Sequence, residues 1–227
     1  MALIRGTGGA NLLRGTGVAD VIRGLDGADT IYGYGSNDRI EGNDDEDRLY
    51  GGAGNDTILG GKGEDSLYGD DGNDLLTDES GNDSFWGGAG NDTVRAGEGN
   101  DKVWGGSGDD LLAGGEGDDR LLGEAGTDRI WGGEGNDTLN GGAGNDLLTG
   151  GEGADHFVFT GGRDRITDFE NGDDQINLRA FTGIDSFADI RGRLVQQGSD
   201  VVLTIGTHVL RIDDVSRSSL DAEDFLF

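Results

Sequence analysis

A nine-residue frame recurs seventeen times without a gap between Gly6 and Val158, and Gly51 to Leu59 (Gly-Gly-Ala-Gly-Asn-Asp-Thr-Ile-Leu) shows it in full. Position one is glycine except at Asp78 and Ala96, and position four is glycine except at Val18, Ser36 and Asp45. Position six is Asp in every copy but the first, which has Asn11; position eight is apolar throughout, from Leu13 and Ile22 to Leu148 and Phe157. Glycines at fixed offsets permit tight turns through positive φ. One apolar residue between two mostly polar ones reads as a three-residue strand with one buried side. Such a strand cannot bury its apolar residue alone, so each copy must lean on its neighbours, and the chain is expected to be an all-β solenoid.

The Asp of each turn carries the chemistry. A carboxylate beside backbone carbonyls is a set of hard oxygen donors, which suits Ca²⁺. Sixteen carboxylates in register would repel one another unless cations lay between them. The net charge of the 227 residues is −29, and 33 acidic against 9 basic side chains put most of it in the repeats. With that charge and 48 glycines, the chain without metal is expected to be disordered. There is no cysteine for disulfides or a zinc ribbon. Met1 to Arg5 runs straight into the first copy, so no cleaved leader is expected there, and no apolar run is long enough for a membrane-spanning helix.

Positions seven and nine should face outward on either side of the buried eighth. If one coil takes two nonapeptides, residues eighteen apart lie on adjacent rungs of one sheet. Position nine of alternate copies then forms a ladder of Tyr32, Tyr50, Tyr68, Trp86 and Trp104, flanked by Arg48, Lys102 and Arg120. The ladder has two readings. Either flat side chains stack to stabilise the sheet, or the rings meet sugar faces while the three bases attract uronate carboxylates. Copies one to five are the loosest, and their metal sites are expected to be weak or partly missing.

The frame is expected to stop at Val158, so that residues 1–158 form the roll and 159–227 a cap over its open end. Within the cap, Asp164–Phe169, Asp174–Leu178, Asp200–Ile205 and His208–Ile212 read as strands. Ser186–Leu194 reads as a short helix and Ser219–Asp224 as a helical turn.

The frame Gly-Gly-x-Gly-x-Asp-x-apolar-x resembles the repeats-in-toxin calcium-binding repeat. The resemblance implies a right-handed parallel β-roll with each Ca²⁺ between the turns of copies i and i+2. On this chain the ligands it implies are Asp29, Asp38, Asp47, Asp56, Asp65, Asp74, Asp83, Asp92, Asp101, Asp110, Asp119, Asp128, Asp137, Asp146 and Asp155. Carbonyls of the first-position glycines join them, among them Gly51, Gly60, Gly87, Gly105, Gly114, Gly132 and Gly141. The twelve regular copies from Gly51 onward imply about ten Ca²⁺, and seventeen copies cap the count at fifteen. Residues 153–159, 164–169 and 172–176 resemble the C-terminal module shared by serralysin-type proteases and mannuronan C5-epimerase repeat modules. That likeness implies that Asp224-Phe225-Leu226-Phe227 is an uncleaved type I secretion signal; a last strand packed on the cap is the other reading, and the two are compatible.

No His-Glu-x-x-His, Gly-x-Ser-x-Gly or Gly-x-x-x-x-Gly-Lys-Ser/Thr occurs, and the frame accounts for the repeated Asp residues, so no catalytic role is expected. A charge of −29 disfavours nucleic acid. The expected function is a secreted calcium-binding protein that folds on Ca²⁺ after type I export. The alternative is a module binding alginate or another acidic polysaccharide.

Overall fold

The structure, a computed structural model, describes all 227 residues. Alternate copies supply two facing sheets, because each coil consumes eighteen residues: one sheet has 13 strands and the other 12. Rungs within the repeats are parallel and in register, as in Tyr50 opposite Tyr68 and Trp86 opposite Trp104. The roll is therefore an all-β parallel solenoid.

Most repeat strands are six residues long rather than the expected three, as in Thr57–Lys62 and Lys102–Ser107. They run from position seven through position three of the next copy. Position-one glycine is thus an inward-facing strand residue, not part of a bend. The positive φ values fall instead at positions two and four, as at Gly52 (φ 102°) and Gly54 (φ 137°). Copies lacking those glycines hold ordinary residues in the same conformation, Tyr34, Ser36, Asn43, Asp45 and Asp70 among them. Such residues strain the backbone. The early, irregular copies thus keep the turn geometry at a cost.

Position eight builds the core. From Ile22 through Leu139 every such side chain is fully buried, and these residues form one apolar cluster with Phe159, Ile166, Ile176, Leu203, Leu210 and Phe225 of the C-terminal region. Each sheet continues into that region. Arg163–Ile166 pairs in parallel with the Leu147–Glu152 strand, then with His208–Ile212, and two antiparallel strands, Asp200–Ile205 and Leu194–Gln197, finish that edge. Gln175–Asn177 and finally Phe225–Leu226 extend the other sheet.

The frame does not stop at Val158. Residues 159–167 make an eighteenth copy, with Gly162, Asp164 and Ile166 at positions four, six and eight. Phe159 takes position one, where it is buried and packs against Phe181 with ring centroids 5.1 Å apart. The expected helix is shorter, Phe187–Arg191, and residues 219–224 form turns. The predicted strands at 164–169 and 174–178 are likewise shorter, at Arg163–Ile166 and Gln175–Asn177.

Candidate metal centre

The two turn edges of the roll each carry a column of position-six side chains. One runs Asn11, Asp29, Asp47, Asp65, Asp83, Asp101, Asp119, Asp137 and Asp155; the other runs Asp20, Asp38, Asp56, Asp74, Asp92, Asp110, Asp128 and Asp146. Within a column the carboxylate of one rung accepts the backbone N–H of the Asp eighteen residues earlier. Asp38 N–H donates to Asp56 Oδ1 at 2.7 Å, Asp56 N–H to Asp74 Oδ1 at 2.7 Å, and Asp110 N–H to Asp128 Oδ1 at 2.9 Å. Both ladders run on into the C-terminal region. Asp146 N–H donates to Asp164 Oδ1 at 3.1 Å, and Asp155 N–H to Asp174 Oδ1 at 2.9 Å.

Each of these Asp residues thus commits one oxygen to the stack. The other oxygen is the decisive one. Oδ2 of Asp29, Asp38, Asp47, Asp56, Asp65, Asp74, Asp83, Asp92, Asp101, Asp110, Asp119, Asp128, Asp137, Asp146 and Asp155 is buried with no hydrogen-bond partner. Unpaired buried polar atoms are rare and costly. Here there are sixteen, and all but Asn140 Oδ1 are of one kind, in two files. A set of buried anionic oxygens with nothing to neutralise them is what a hard cation requires, so the residues fit Ca²⁺. Asp20 differs, for its Oδ2 accepts Thr16 N–H at 2.8 Å and the Thr16 hydroxyl at 2.7 Å.

Position-one glycine leaves room for these oxygens. A Cβ on Gly51 would lie 2.4 Å from Asp56 Oδ2 and 2.9 Å from the Gly69 carbonyl, and one on Gly105 would lie 2.4 Å from Asp110 Oδ2 and 2.9 Å from the Gly123 carbonyl. At Gly87, Gly114, Gly132 and Gly141 the same virtual atom would fall between 2.0 and 2.5 Å from the Oδ2 of the copy's own Asp. Carboxylate and carbonyl oxygens therefore face each other across the missing side chain. Gly60 differs, because the carboxylate of Asp78 takes the place of the carbonyl.

Without a cation the burial is electrostatically adverse. Desolvation, opposed by the N–H bond to Oδ1, pushes Asp38, Asp92, Asp101 and Asp128 up to about 6. Asp47, Asp74, Asp83, Asp110 and Asp137 rise to about 7 and Asp119 to about 8, the neighbouring carboxylates in the column adding to the desolvation. Asp29, Asp56, Asp65, Asp146 and Asp155 are also raised, burial again leading.

The profile of the RTX calcium-binding nonapeptide repeat, described in units of four copies, matches at residues 5–40, 14–49, 32–67, 41–76, 68–103, 104–139 and 131–166. Those windows span well over half of the sequence. The chain belongs to this family. RTX repeats bind calcium, and this RTX chain presents the oxygens to do so. Among solved structures, it is similar to the extracellular lipase LipA from Serratia marcescens at 20% identity, covering 98% of this chain and 39% of that one with a TM-score of 0.47. It is also similar to the AlgE6R3 subunit of the Azotobacter vinelandii mannuronan C5-epimerase at 24% identity, covering 82% and 80% with a TM-score of 0.29. The RTX chain thus spans well under half of the lipase's length. No curated protein matches it.

The outer face of the second sheet holds the aromatic column. Ring centroids of Tyr32 and Tyr50 are 4.7 Å apart, Tyr50 and Tyr68 4.6 Å, Tyr68 and Trp86 4.4 Å, and Trp86 and Trp104 5.0 Å, all within 8° of parallel. Tyr34 extends this strip, 6.0 Å from Tyr32. Sequence reasoning passed over it because position two was read as turn. Lys102 and Arg120 occupy neighbouring rungs beside the strip, and Arg48 lies three rungs from Lys102 along the same column. No helix is long and apolar enough to cross a membrane.

Proposed function

We propose that the protein is a secreted calcium-responsive roll, without catalysis of its own, whose repeats stay unfolded where calcium is scarce and fold where it is abundant. The observation that carries this reading is the fifteen buried, unpartnered Asp oxygens. These Asp residues and the position-one carbonyls would hold the ions, and bound calcium supplies the positive charge that lets adjacent rungs approach. Extracellular sites fill at about 10⁻⁴–10⁻³ M calcium. Below that, the carboxylates favour the expanded chain, which suits passage through a type I exporter.

The C-terminus supports the same order of events. Asp224 is buried and accepts two bonds from Asn171 Nδ2 at 3.0 Å, while Phe225 and Leu226 form the last rung. An exporter reading Asp224–Phe227 would therefore read it in the unfolded chain. Far-UV circular dichroism against free Ca²⁺ tests the proposal: strand content is expected to rise steeply towards millimolar calcium. Equal strand content in EDTA and in millimolar calcium would overturn it.

A second reading concerns the aromatic strip. Five parallel rings at 4.4–5.0 Å spacing cover one another's faces and turn their edges outward, so with Arg48, Lys102 and Arg120 beside them they offer an apolar strip and cations to an acidic polysaccharide such as alginate. Oligouronates titrated into the calcium-loaded protein at low salt are expected to bind, and Trp104→Ala to weaken binding about tenfold, the scale of one lost aromatic contact. Absence of binding by the unsubstituted protein would remove this reading.

A further inference from the structure

The ninth of the seventeen copies departs from the frame at the point where the frame is strictest. Position one there is Asp78, not glycine. Its carboxylate turns towards the rung below and fills the space in front of Gly60, where a Cβ would clash with Asp78 Oδ2 and lie 2.5 Å from Asp65 Oδ2. Asp65, Asp78 and Asp83 bring one carboxylate oxygen each to within 4.8 Å of one another. Asp65 and Asp83 are 2% and 1% exposed, and the Oδ2 of each is among the unpartnered oxygens. Asp78 is held in place from its own turn, where its Oδ1 accepts Glu79 N–H at 2.6 Å and Ser80 N–H at 3.2 Å, and from the rung below, where its Oδ2 accepts Gly61 N–H at 3.2 Å.

The surroundings of this trio also differ. The strand ends early, at Leu75–Thr77, where most rungs carry six residues. Outside it lies a cleft of about 380 Å³ lined by Asp78, Glu79, Glu41, Asp44 and Lys62 among others. The third carboxylate is therefore half-buried and reachable from solvent, whereas its two partners are sealed in the ladder.

We propose that Asp65, Asp78 and Asp83 form a divalent-cation site distinct from the others of the roll, with three carboxylates in place of two, which fills at the lowest free calcium. Affinity for hard cations rises with the number of charged oxygen ligands. An extra anionic ligand at this distance is expected to shift filling at least about tenfold below that of the regular rungs. Copy nine lies mid-way along the roll, with eight copies before it and nine after it. A solenoid can nucleate anywhere and grow by nearest-neighbour contacts, so an ion held here first would let the roll grow towards both ends.

The inference rests on calcium binding by the ladder, and one experiment separates the two. Calcium uptake is measured by equilibrium dialysis with radioactive Ca²⁺, from the submicromolar to the millimolar range, on the full chain and on its Asp78→Gly and Asp78→Asn variants. Asp78→Gly restores the frame, and Asp78→Asn keeps an oxygen for Glu79 and Ser80 N–H while removing the charge. The unsubstituted chain is expected to show one ion bound about tenfold earlier than the rest, and both variants to lose that early step while keeping the main uptake. Identical isotherms for the full chain and Asp78→Gly would overturn the inference and leave ladder binding intact. An early step that survives in Asp78→Asn would overturn it too, because Asp78 would then act only as a hydrogen-bond acceptor. No uptake by any of the three would overturn both readings.

Discussion

In a chelator at pH 8 the roll is expected to be unfolded, and on acidification to about pH 4.5, still without metal, to regain strand structure. Twelve ladder carboxylates are pushed by burial to between about 6 and about 8, from an ordinary value of 3.8. Because the folded state binds these protons more tightly than the unfolded chain, stability falls as pH rises. It is fully present below about pH 4 and is lost on the way up through pH 6 to 8. Solvent at the turns screens each group, to about 1 kcal/mol apiece, so together they oppose folding at pH 8 by on the order of 10 kcal/mol. That matches the whole net stability of an ordinary domain, about 5–15 kcal/mol. Thermal melts followed by far-UV circular dichroism in EDTA from pH 4 to pH 8 check the sign. A metal-free melting temperature that rises with pH would contradict the ladder electrostatics.

Replacing Asp110 and Asp119 together by Asn is expected to split calcium-driven folding into two transitions. These residues occupy opposite edges of one coil. Their Oδ1 atoms accept Asp92 N–H and Asp101 N–H at 2.8 Å each. Asn keeps that acceptor and the side-chain volume but removes the charge from both columns. A site at tenfold excess of ligand over its dissociation constant contributes about 1.4 kcal/mol. If each Asp serves the spaces above and below it, four sites and about 6 kcal/mol of calcium stabilisation are lost at one level. In a solenoid that loss weakens one interface rather than the whole. The C-terminal copies, still joined to the strands beyond Val158, should fold near the original calcium concentration. Copies one to eleven, which lose contact with those strands but keep the Asp65–Asp78–Asp83 site, should fold with a separate midpoint. Limited proteolysis along a calcium titration is expected to cut near copies twelve and thirteen and leave a resistant fragment of one block at intermediate calcium. One transition with an unchanged midpoint would show that the turns do not act through charge.

The period of nine made the solenoid, its two sheets and both Asp columns legible, since a gapless repeat fixes which residues share a rung. The aromatic strip was legible for the same reason. The eighteenth copy was masked because Phe159 sits where glycine is expected, although Asp164 and Ile166 keep time with Asp146 and Leu148. Asp174 was masked by one extra residue, lying nineteen rather than eighteen beyond Asp155. Strand lengths were underestimated because glycine at positions one to three reads as turn, whereas at position one it answers a steric need of the Asp five residues on. Leu194–Gln197 has two apolar residues followed by two glutamines and is exposed beyond Leu194, so it carried no alternating strand signal. The sequence marked Asp78 as an exception to the frame, but only three dimensions put it beside Asp65 and Asp83.

The eighteen-residue coil also governs how such a chain can change in length. Contacts join copy i to copy i+2, so duplicating or deleting one nonapeptide moves every later residue to the opposite sheet. Tyr68, Trp86 and Trp104 would then part from Tyr32 and Tyr50 if the change fell between them, although the Asp columns, which look alike on both edges, would barely register it. Pairs of copies can be added or removed with both faces intact. Calcium capacity can therefore drift in single repeats, whereas the patterned outer face is inherited only in steps of two.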